Sequence, residues 1–426
     1  MSKASWNRGL VGAWAVMAAA GVVGLAGCGI LDVQTQSQIT EDALQLPQNA
    51  DLIVNGAVSD FECALGAYTV GMGLLADEFE SAGGAALFFD WDRRTQDASN
   101  GTYGTGDCLA SQVSLGTWKP VSTARFTADN ALSLLNGWTD AQVPGRAALI
   151  AKAQAYGGYS RILLGEGFCS AAIDAGPELT PAQVFALAEG KFTDAIASAT
   201  AAAEPDLALM ARVGRARARL DLGNLTGAAA DAALVPIDFV WNANYSASAF
   251  RAQNQVNNMH FRTNGMIVSA PFRNLTFDGV ADPRPKVADA GRASADPLRR
   301  LWLTSKYPTQ DSPIAMATGV EAALILAEAN GGAQAVGIIN ALHARVGLPT
   351  TFASTDPAVI KAQIIDERKR EFFADGHRSY DILRYNLPLD PPAGTVHPQG
   401  GIYGSERCLP LPDTERDNNP NLSVRR

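Results

Sequence analysis

The sequence has few of the side chains that build metal centres and nucleic-acid surfaces. Its histidines are His260, His343, His377 and His397, and no two of them stand at metal-ligand spacing. The formal net charge is −9, and no basic stripe is present to neutralise the phosphates of a nucleic acid. No nucleophile elbow, phosphate loop or dinucleotide fingerprint occurs, because the glycine-rich Gly101–Gly106 lacks a strand-to-helix context. We therefore expect no metal, no cofactor and no nucleic-acid partner.

The amino terminus has the pattern of an export signal. Lys3 and Arg8 precede an uncharged stretch over residues 9–25, which ends on the letters LAGC at residues 25–28. Small residues before a cysteine are typical of a bacterial lipoprotein signal, so residues 1–27 are predicted to be removed and Cys28 to carry lipid, including palmitate. A single transmembrane helix is the alternative, since the apolar stretch approaches spanning length. That reading leaves the cysteine at a peptidase-like site unexplained.

Four cysteines remain once Cys28 is set aside. They are Cys63, Cys108, Cys169 and Cys408. An even number in an exported chain indicates two disulfides, and three pairings are possible. We favour Cys63 with Cys108, within the amino-terminal region, and Cys169 with Cys408, which would tie the carboxyl end back. Free buried thiols are the alternative.

Apolar periodicity predicts a mainly α-helical fold. Leu209, Val213, Ala216 and Leu220 form one helical stripe, and a second helix follows directly after Gly223. A helical hairpin with a turn at residues 221–224 is therefore expected. Further helices are predicted at the following positions: 122–138, 147–166, 181–203, 316–329, 333–346 and 357–374.

A weak internal repeat supports the hairpin interpretation. Thr193–Ile196 recurs in outline at Thr226–Ala229, a shift of 33 residues, and tetratricopeptide repeats have a period of about 34 residues. Residues 81–118 and 236–313 are instead rich in Gly, Pro, Asn and Asp and are predicted to be long loops, with a short strand near 266–269. Loops of this length are uncommon unless they carry a function, so a helical scaffold with binding loops is expected.

The carboxyl-terminal third resembles the SusD/RagB family of outer-membrane lipoproteins. The resemblance rests on three stretches: IIDERKREFF at 364–373, GHRSYDILRY at 376–385, and LPLP at 409–412 with DNNPNL at 417–422. Weaker support comes from three more: CGILDV at 28–33, GVADPR at 279–284 and EAALILAEA at 321–329. The chain departs from the family at residues 317–319, where a bulkier helix start is common, and this puts the local packing in question.

The resemblance implies about four tetratricopeptide-like helical hairpins and a loop-rich, substrate-binding part in a single domain over residues 28–426. The implied boundaries are loop-rich parts at 28–146 and 236–313, helical parts at 147–235 and 314–385, and an extension at 386–426. Such proteins are lipid-anchored in the outer membrane facing the exterior, and they capture a glycan or other nutrient for a SusC-like TonB-dependent transporter barrel. A periplasmic tetratricopeptide scaffold that binds protein partners is the alternative.

Sugar recognition needs flat apolar faces beside groups that bond hydroxyls. The stretch FFDWDR at 88–93 supplies both, and the predicted ligand-binding residues are Phe88, Asp90, Trp91, Arg93 and Tyr103. The alternative is that Phe88, Phe89 and Trp91 anchor the loop in the core.

The acidic and basic cluster at 366–371 raises the question of a glycosidase. Asp366 and Arg370 stand at i, i+4, which predicts a salt-bridged helix face, whereas glycosidase carboxylates must flank a bond across a cleft. We expect His377 to bond a nearby carbonyl or carboxylate. No enzymatic activity is therefore expected, and a lipid-anchored hydrolase is the weakest of the functional hypotheses.

Overall fold

The computed structural model describes residues 41–83, 86–99, 101–108 and 116–422. The predicted signal peptide and the predicted lipid site at Cys28 lie outside the described residues. The chain divides into Met1–Leu46 and Pro47–Arg426. In the first unit the described part holds the short helix α1, Glu41–Leu44, and everything below concerns the second. No helix in the described ranges is long and apolar enough to cross a membrane.

The second unit consists of helices joined by loops and two-stranded sheets. Its helices are α2 Ala50–Leu75, α3 Ala86–Asp92, α4 Thr102–Thr105, α5 Trp118–Gly137, α6 Arg146–Gly167, α7 Pro181–Ala201, α8 Pro205–Asp221, α9 Leu225–Ala232, α10 Gln255–Asn257, α11 Gly319–Asn330, α12 Gly332–Arg345, α13 Pro357–Glu371, α14 Arg378–Arg384 and α15 Asp413–Asn418. Its strands are β1 Phe79–Ser81, β2 Val240–Ala243, β3 Met266–Val268, β4 Thr276–Phe277, β5 Val280–Ala281, β6 Val287–Ala293, β7 Arg300–Thr304 and β8 Ile314–Thr318.

Eight helices form the predicted scaffold as four sequential pairs, α6 with α7, α8 with α9, α11 with α12, and α13 with α14. Successive helices pack on one another from α6 to α9 and from α11 to α13, and α11 packs on α9, so the stack continues across the long insertion between them. The last pair is joined by an ion pair between Arg368 on α13 and Asp381 on α14, at 2.9 Å. Alanines such as Ala188, Ala195 and Ala216 are fully buried at these contacts, where small side chains let helices approach closely. The mainly α, tetratricopeptide-like prediction is confirmed.

The predicted hairpin turn at residues 221–224 shows why the helices end where they do. Gly223 has a φ of +75°, a left-handed conformation that favours glycine. The side chain of Asn224 then accepts a hydrogen bond from the Gly227 amide at 3.0 Å and caps α9. Thr193 and Thr226 lie on α7 and α9, the second helices of two successive pairs, as the 33-residue repeat implies.

The longest helix, α2, was not predicted. Residues 28–146 were interpreted as loop-rich, but Ala50–Leu75 is helical, and nearly every residue from Phe61 to Leu75 is buried. A helix that is covered on all sides has no polar face and hence no apolar stripe, which explains the failure. It contacts α5, α6 and α14 and forms the centre of the main hydrophobic core.

The loop-rich part over residues 236–313 contains short antiparallel pairs. β1 pairs with β3, which confirms the short strand expected near residues 266–269, and β6 pairs with β7. β2 pairs with β8 immediately before α11, so this part is hydrogen-bonded to the start of a scaffold helix. That attachment holds the loops in a defined position on the stack.

The unusual helix start at residues 317–319 has a local explanation. A Cβ atom on Gly319 would lie 2.1 Å from the carbonyl oxygen of Pro236, so only glycine fits against the entering loop. Thr318 caps α11 by accepting from the Glu321 amide at 2.9 Å. The departure from the family pattern therefore accommodates the backbone of the loop-rich part.

Both disulfides join segments that are distant in sequence. Cys63 on α2 is bonded to Cys108, and Cys169 is bonded to Cys408, the pairing that we favoured. The second bond is flanked by a hydrogen bond from the Cys169 amide to the Leu409 carbonyl at 2.9 Å. It closes a loop with a sequence separation of 239 and so ties the carboxyl-terminal extension to the end of α6.

The family-like stretch at 364–373 contributes charged side chains to a buried network of ion pairs. Arg370 bonds Asp366 at 2.7 Å, which confirms the predicted i, i+4 pair. Glu367 is fully buried between His343, at 2.7 Å, and Arg284, at 2.5 Å. Its carboxylate therefore joins α12 and α13 to the GVADPR segment, and the conformation of this cluster is explained by structural ion pairs.

Candidate functional site

The predicted ligand-binding stretch is partly helical. Residues 86–92 form α3, and Thr102–Thr105 form α4, where a loop was predicted over 81–118. The two short helices lie on either side of the ordered turns at residues 93–99. This placement determines which of the predicted side chains can reach a ligand.

Trp91 and Tyr103 are fully buried, which contradicts their prediction as ligand-facing residues. Their rings make an edge contact at a centroid distance of 6.4 Å, and the Tyr103 hydroxyl donates to the Pro410 carbonyl at 2.9 Å. A Cβ atom on Gly71 would lie 2.7 Å from the Trp91 ring, so the indole packs directly on α2. Phe88 is also buried. The alternative interpretation, that Phe88, Phe89 and Trp91 anchor the segment in the core, is correct for Phe88 and Trp91, whereas Phe89 is only half-buried.

Asp90 and Arg93 remain at the surface, and Phe89 joins them. The carboxylate and the guanidinium form an ion pair at 2.6 Å, with side-chain exposures of 50% and 23%. The Arg93 guanidinium carbon lies 6.0 Å from the centroid of the half-buried Phe89 ring. An aromatic ring, a carboxylate and a guanidinium thus lie side by side. We call Phe89, Asp90 and Arg93 the Phe89 surface.

A carboxyl-terminal loop holds this surface in place. Arg93 donates to the Gly400 carbonyl at 3.1 Å, and the Gly404 amide donates to the Arg93 carbonyl at 2.6 Å. His397 lies 6.4 Å from the Phe89 ring centroid. Residues 393–404 are thus bonded to the end of α3, although about 300 positions separate the two segments in sequence.

His397 is itself oriented by two hydrogen bonds. The Gln399 amide donates to His397 Nδ1 at 3.1 Å, so the proton is on Nε2 and is donated to Asp92 Oδ2 at 3.0 Å. The same carboxylate oxygen accepts from the Ser81 amide at 2.8 Å. This chain of bonds connects β1, α3 and the carboxyl-terminal loop, and it gives the Phe89 surface a rigid support.

Glu406 lies behind the surface and responds to pH. Burial raises the pKa of its carboxyl to about 7, although the hydrogen bond from the Gln96 amide, at 2.6 Å, opposes the shift. The group therefore changes charge near neutral pH. The negative charges of Asp97 and Asp90 also raise the pKa of Glu406, so its titration changes the electrostatic field at Asp90.

A second concave region begins at α5. It has a volume of about 490 Å³ and is lined by Thr105, Trp118, Lys119, Phe126 and Glu415 among others. Phe126 is 54% exposed, whereas Trp118 is buried and packs edge-on against Phe168, with ring centroids 5.0 Å apart. Lys119 also lines a neighbouring cavity of about 230 Å³. Sequence reasoning missed both Phe126 and Lys119, because a single exposed residue on a helix gives no pattern.

His377 has a different partner from the one expected. We predicted a carbonyl or carboxylate, but Arg217 donates to His377 Nε2 at 3.2 Å, and the imidazole stacks on Phe372 at 4.4 Å. Burial and the adjacent guanidinium together hold the pKa of His377 well below its usual range. The ring is therefore neutral, and its proton is on Nδ1. Among the described residues, no group of three or more His, Cys, Asp or Glu side chains is arranged to hold a metal ion.

The fold and the Phe89 surface define a class: a tetratricopeptide-like helical scaffold that carries a loop-rich face. The SusD family model matches residues 320–424, the part of the chain that contains α11–α15 and the buried ionic network. This match confirms, over residues 320–424, the resemblance to the SusD family that the sequence indicated. Comparison with curated protein sequences gives no significant match.

Solved structures share the fold over nearly the whole chain. A SusD-like carbohydrate binding protein from Bacteroides vulgatus is 16% identical with a TM-score of 0.66, over 88% of this chain and 97% of that one. A laminarin binding SusD-like protein is 17% identical with a TM-score of 0.64, over 88% and 98%. The surface glycan-binding protein A from Bacteroides thetaiotaomicron, in complex with laminarihexaose, is 14% identical with a TM-score of 0.64, over 88% and 98%. At these identities the likeness concerns the fold.

Proposed function

We propose that this protein is a cell-surface, lipid-anchored binding protein that captures a glycan and delivers it to a TonB-dependent outer-membrane transporter. The observation that carries the proposal is the SusD fold presented together with the Phe89 surface. Two proteins of similar fold are described as binding laminarin or laminarihexaose, which supports a glycan as the ligand class.

The chemistry of the Phe89 surface suits a sugar. The ring of Phe89 offers an apolar face to the C–H groups of a pyranose, while Asp90 accepts from hydroxyls and Arg93 donates to them. Arg93 is already bonded to Gly400 and Asp90, so little side-chain freedom is lost on binding. The Arg93 guanidinium is therefore oriented before the ligand binds, which favours affinity because less side-chain entropy is lost.

The proposed role is binding without turnover. The carboxylates nearest the surface, Asp90 and Asp92, are engaged by Arg93 and His397 respectively, which suits positioning rather than proton transfer. Incubation of the purified protein with a bound polysaccharide is expected to release no new reducing ends. Release of reducing ends by a homogeneous preparation would support the hydrolase hypothesis instead.

The ligand class is tested by affinity electrophoresis of residues 28–426 in gels that contain single polysaccharides, with laminarin as one of them. We expect marked retardation in at least one gel and none in a polymer-free gel. A panel of neutral and acidic polysaccharides that leaves migration unchanged throughout would contradict glycan capture. A glycan array gives the same answer for short oligosaccharides.

The lipid anchor and the transporter partner have to be tested in intact cells and in outer membranes. If Cys28 carries lipid and the mature chain faces the exterior, protease treatment of intact cells should remove the protein. A Cys28→Ala variant should then appear in the soluble fraction.

Pull-down from solubilised outer membrane should return a large β-barrel of the SusC-like kind. Protection of the mature chain in intact cells would favour the periplasmic scaffold, and absence of a barrel would remove the transporter from the proposal.

A further inference from the structure

A cavity of about 320 Å³ lies away from the Phe89 surface, between the start of α11, the end of α13 and the loop-rich part. Its size is at the lower end of the range of small-molecule sites, which is about 300–1,000 Å³. The half-buried ring of Phe239 and the side chain of Val240 contribute an apolar wall. The rest of the lining is mostly charged.

The basic side chains of the cavity are largely neutralised by neighbours. Lys306 bonds Asp375 at 2.7 Å, and Arg345 bonds Asp238 at 2.7 Å. Arg284 is held by Asp282 and Glu367, at 2.6 and 2.5 Å. Lys286 differs, since it is exposed and forms no ion pair within the described part of the chain. One ammonium group is therefore available to a ligand.

Glu321 supplies an unused acceptor. Its side chain is 3% exposed, and neither carboxylate oxygen accepts a hydrogen bond from the residues that the structure describes. The nearest cation is Arg217, at 3.6 Å, and Arg217 is already bonded in bidentate fashion to Glu166 at 2.6 and 2.5 Å. A buried carboxyl without hydrogen bonds is costly, so a donor from a ligand would stabilise it.

His377 supplies an unused donor beside it. Its Nε2 accepts from Arg217, which leaves Nδ1–H, and no acceptor for that proton is found in the described ranges. Both His377 and Glu321 line the cavity. A carboxyl acceptor, an imidazole donor and an ammonium donor thus converge on one small volume.

The balance of charge indicates the ligand class. Of the ionisable groups in the lining, Arg284, Lys286, Lys306 and Arg345 are basic. Asp238, Glu321, Glu371 and Asp375 are acidic. Equal numbers of opposite charges select neither an anion nor a cation, whereas unpaired donors and acceptors beside an apolar wall suit a neutral ring with several hydroxyls.

We propose that this cavity binds one neutral saccharide residue, with Glu321 accepting from its hydroxyls and with His377 Nδ1–H and Lys286 donating to them. This site is separate from the Phe89 surface and goes beyond the proposed capture of a polymer. It would hold a monosaccharide or the end of a chain. The ring of Phe239 would contact the sugar's C–H face.

Calorimetric titration of residues 28–426 tests the proposal. The neutral probes are D-glucose, D-galactose, D-mannose and N-acetyl-D-glucosamine, and the charged probes are D-galacturonate and glycine. At least one neutral sugar is expected to bind. Burial raises the pKa of Glu321 to about 7, so the titrations are run at pH 8, where its carboxyl is mostly ionised. Glu321→Gln should then weaken that binding about tenfold, because a charge-assisted hydrogen bond becomes a neutral one. Lys286→Ala should weaken it a few-fold.

Glu78→Gln is the matched control. Glu78 is a buried glutamate with a raised pKa, like Glu321, but it does not line the cavity, so this variant should bind the sugar as the wild type does. Failure of all four neutral sugars to bind, equal binding by Glu321→Gln, or tighter binding of glycine or galacturonate would overturn the proposal. Arg93→Ala should leave monosaccharide binding intact even where polymer retention is lost, so the two sites can fail independently.

Discussion

Arg378 and Asp77 form a buried bidentate ion pair, with both N–O distances at 2.7 Å. The pair joins the end of α2 to the start of α14, so the helix that sequence patterning missed is tied to the family-like GHRSYDILRY stretch. Truncation of Arg378 would leave a buried carboxylate without its partner, which costs about 3–5 kcal/mol. We expect Arg378→Ala to lower the free energy of unfolding by that amount in chemical denaturation.

The comparison variant for this prediction is Arg300→Ala. Arg300 also forms a close pair, with Asp289 at 2.7 Å, but its side chain is 55% exposed, and exposed pairs contribute little. A change in stability as large as that of Arg378→Ala would contradict the importance assigned to burial. A double-mutant cycle with Asp77→Ala should reveal strong coupling to Arg378.

Stability should fall as pH rises because of Glu78. Burial raises the pKa of its carboxyl from 4.5 to about 8 in the folded protein, so the folded state binds more protons than the unfolded state between these values. By linkage, unfolding becomes easier as pH increases across this window. Glu78→Gln imitates the protonated form, and it should therefore raise the melting temperature at pH 8 relative to wild type. The difference should shrink towards pH 5.

Trp91 is predicted to act in folding rather than in binding. Its indole is fully buried against α2 and Tyr103, and truncation of a buried aromatic costs about 3–5 kcal/mol. We expect Trp91→Ala to lower the free energy of unfolding by this amount in urea. Trp91→Phe should recover part of the loss. If Trp91→Ala instead kept full stability and lost glycan retention, the core assignment would be wrong.

The Cys169–Cys408 bond should contribute more to stability than its local contacts suggest. Loop-closure entropy for a separation of 239 residues corresponds to about 5 kcal/mol. A Cys169→Ser/Cys408→Ser double variant should therefore unfold at lower denaturant concentration, while its far-ultraviolet circular dichroism stays close to that of the wild type. The backbone bonds between residues 167–169 and Leu409 remain available to hold the extension. An unchanged unfolding midpoint would show that the unfolded chain is already compact.

Most of the scaffold was predictable because most of its helices are half-buried. Each of α7–α9 and α11–α13 keeps a polar face, which gives the 3.6-residue period that apolar patterning detects. In α6 only the first half keeps such a face, since residues 155–167 are all buried. The period vanishes in α2, where residues 61–75 are covered on every side. The salt bridge between Asp366 and Arg370 could also be predicted from the sequence, since the two residues are four positions apart on one helix.

The binding surface was only partly predictable. The stretch at 88–93 has the right residue types, but α3 turns Trp91 inward and leaves Phe89, Asp90 and Arg93 near solvent. Because α3 is a helix, the spacing of its residues determines which side chains face the core. The sequence predicted a loop here, so it gave no basis for that distinction. The support from residues 397–404 depends on contacts across about 300 positions, for which a single sequence carries no signal.

The most direct test of glycan capture is calorimetric titration of wild type, Phe89→Ala and Phe126→Ala with the polysaccharide that retards the wild type most. Phe126 is the matched control, since it is an exposed aromatic residue outside the Phe89 surface. Loss of an aromatic ring that stacks on a nucleic-acid base costs about 1–3 kcal/mol by alanine substitution. For a sugar ring packed on Phe89 we expect a loss near the lower end of that range, so Phe89→Ala should bind about fivefold more weakly while Phe126→Ala binds as the wild type does. Equal binding by Phe89→Ala and wild type, or a loss confined to Phe126→Ala, would contradict the account.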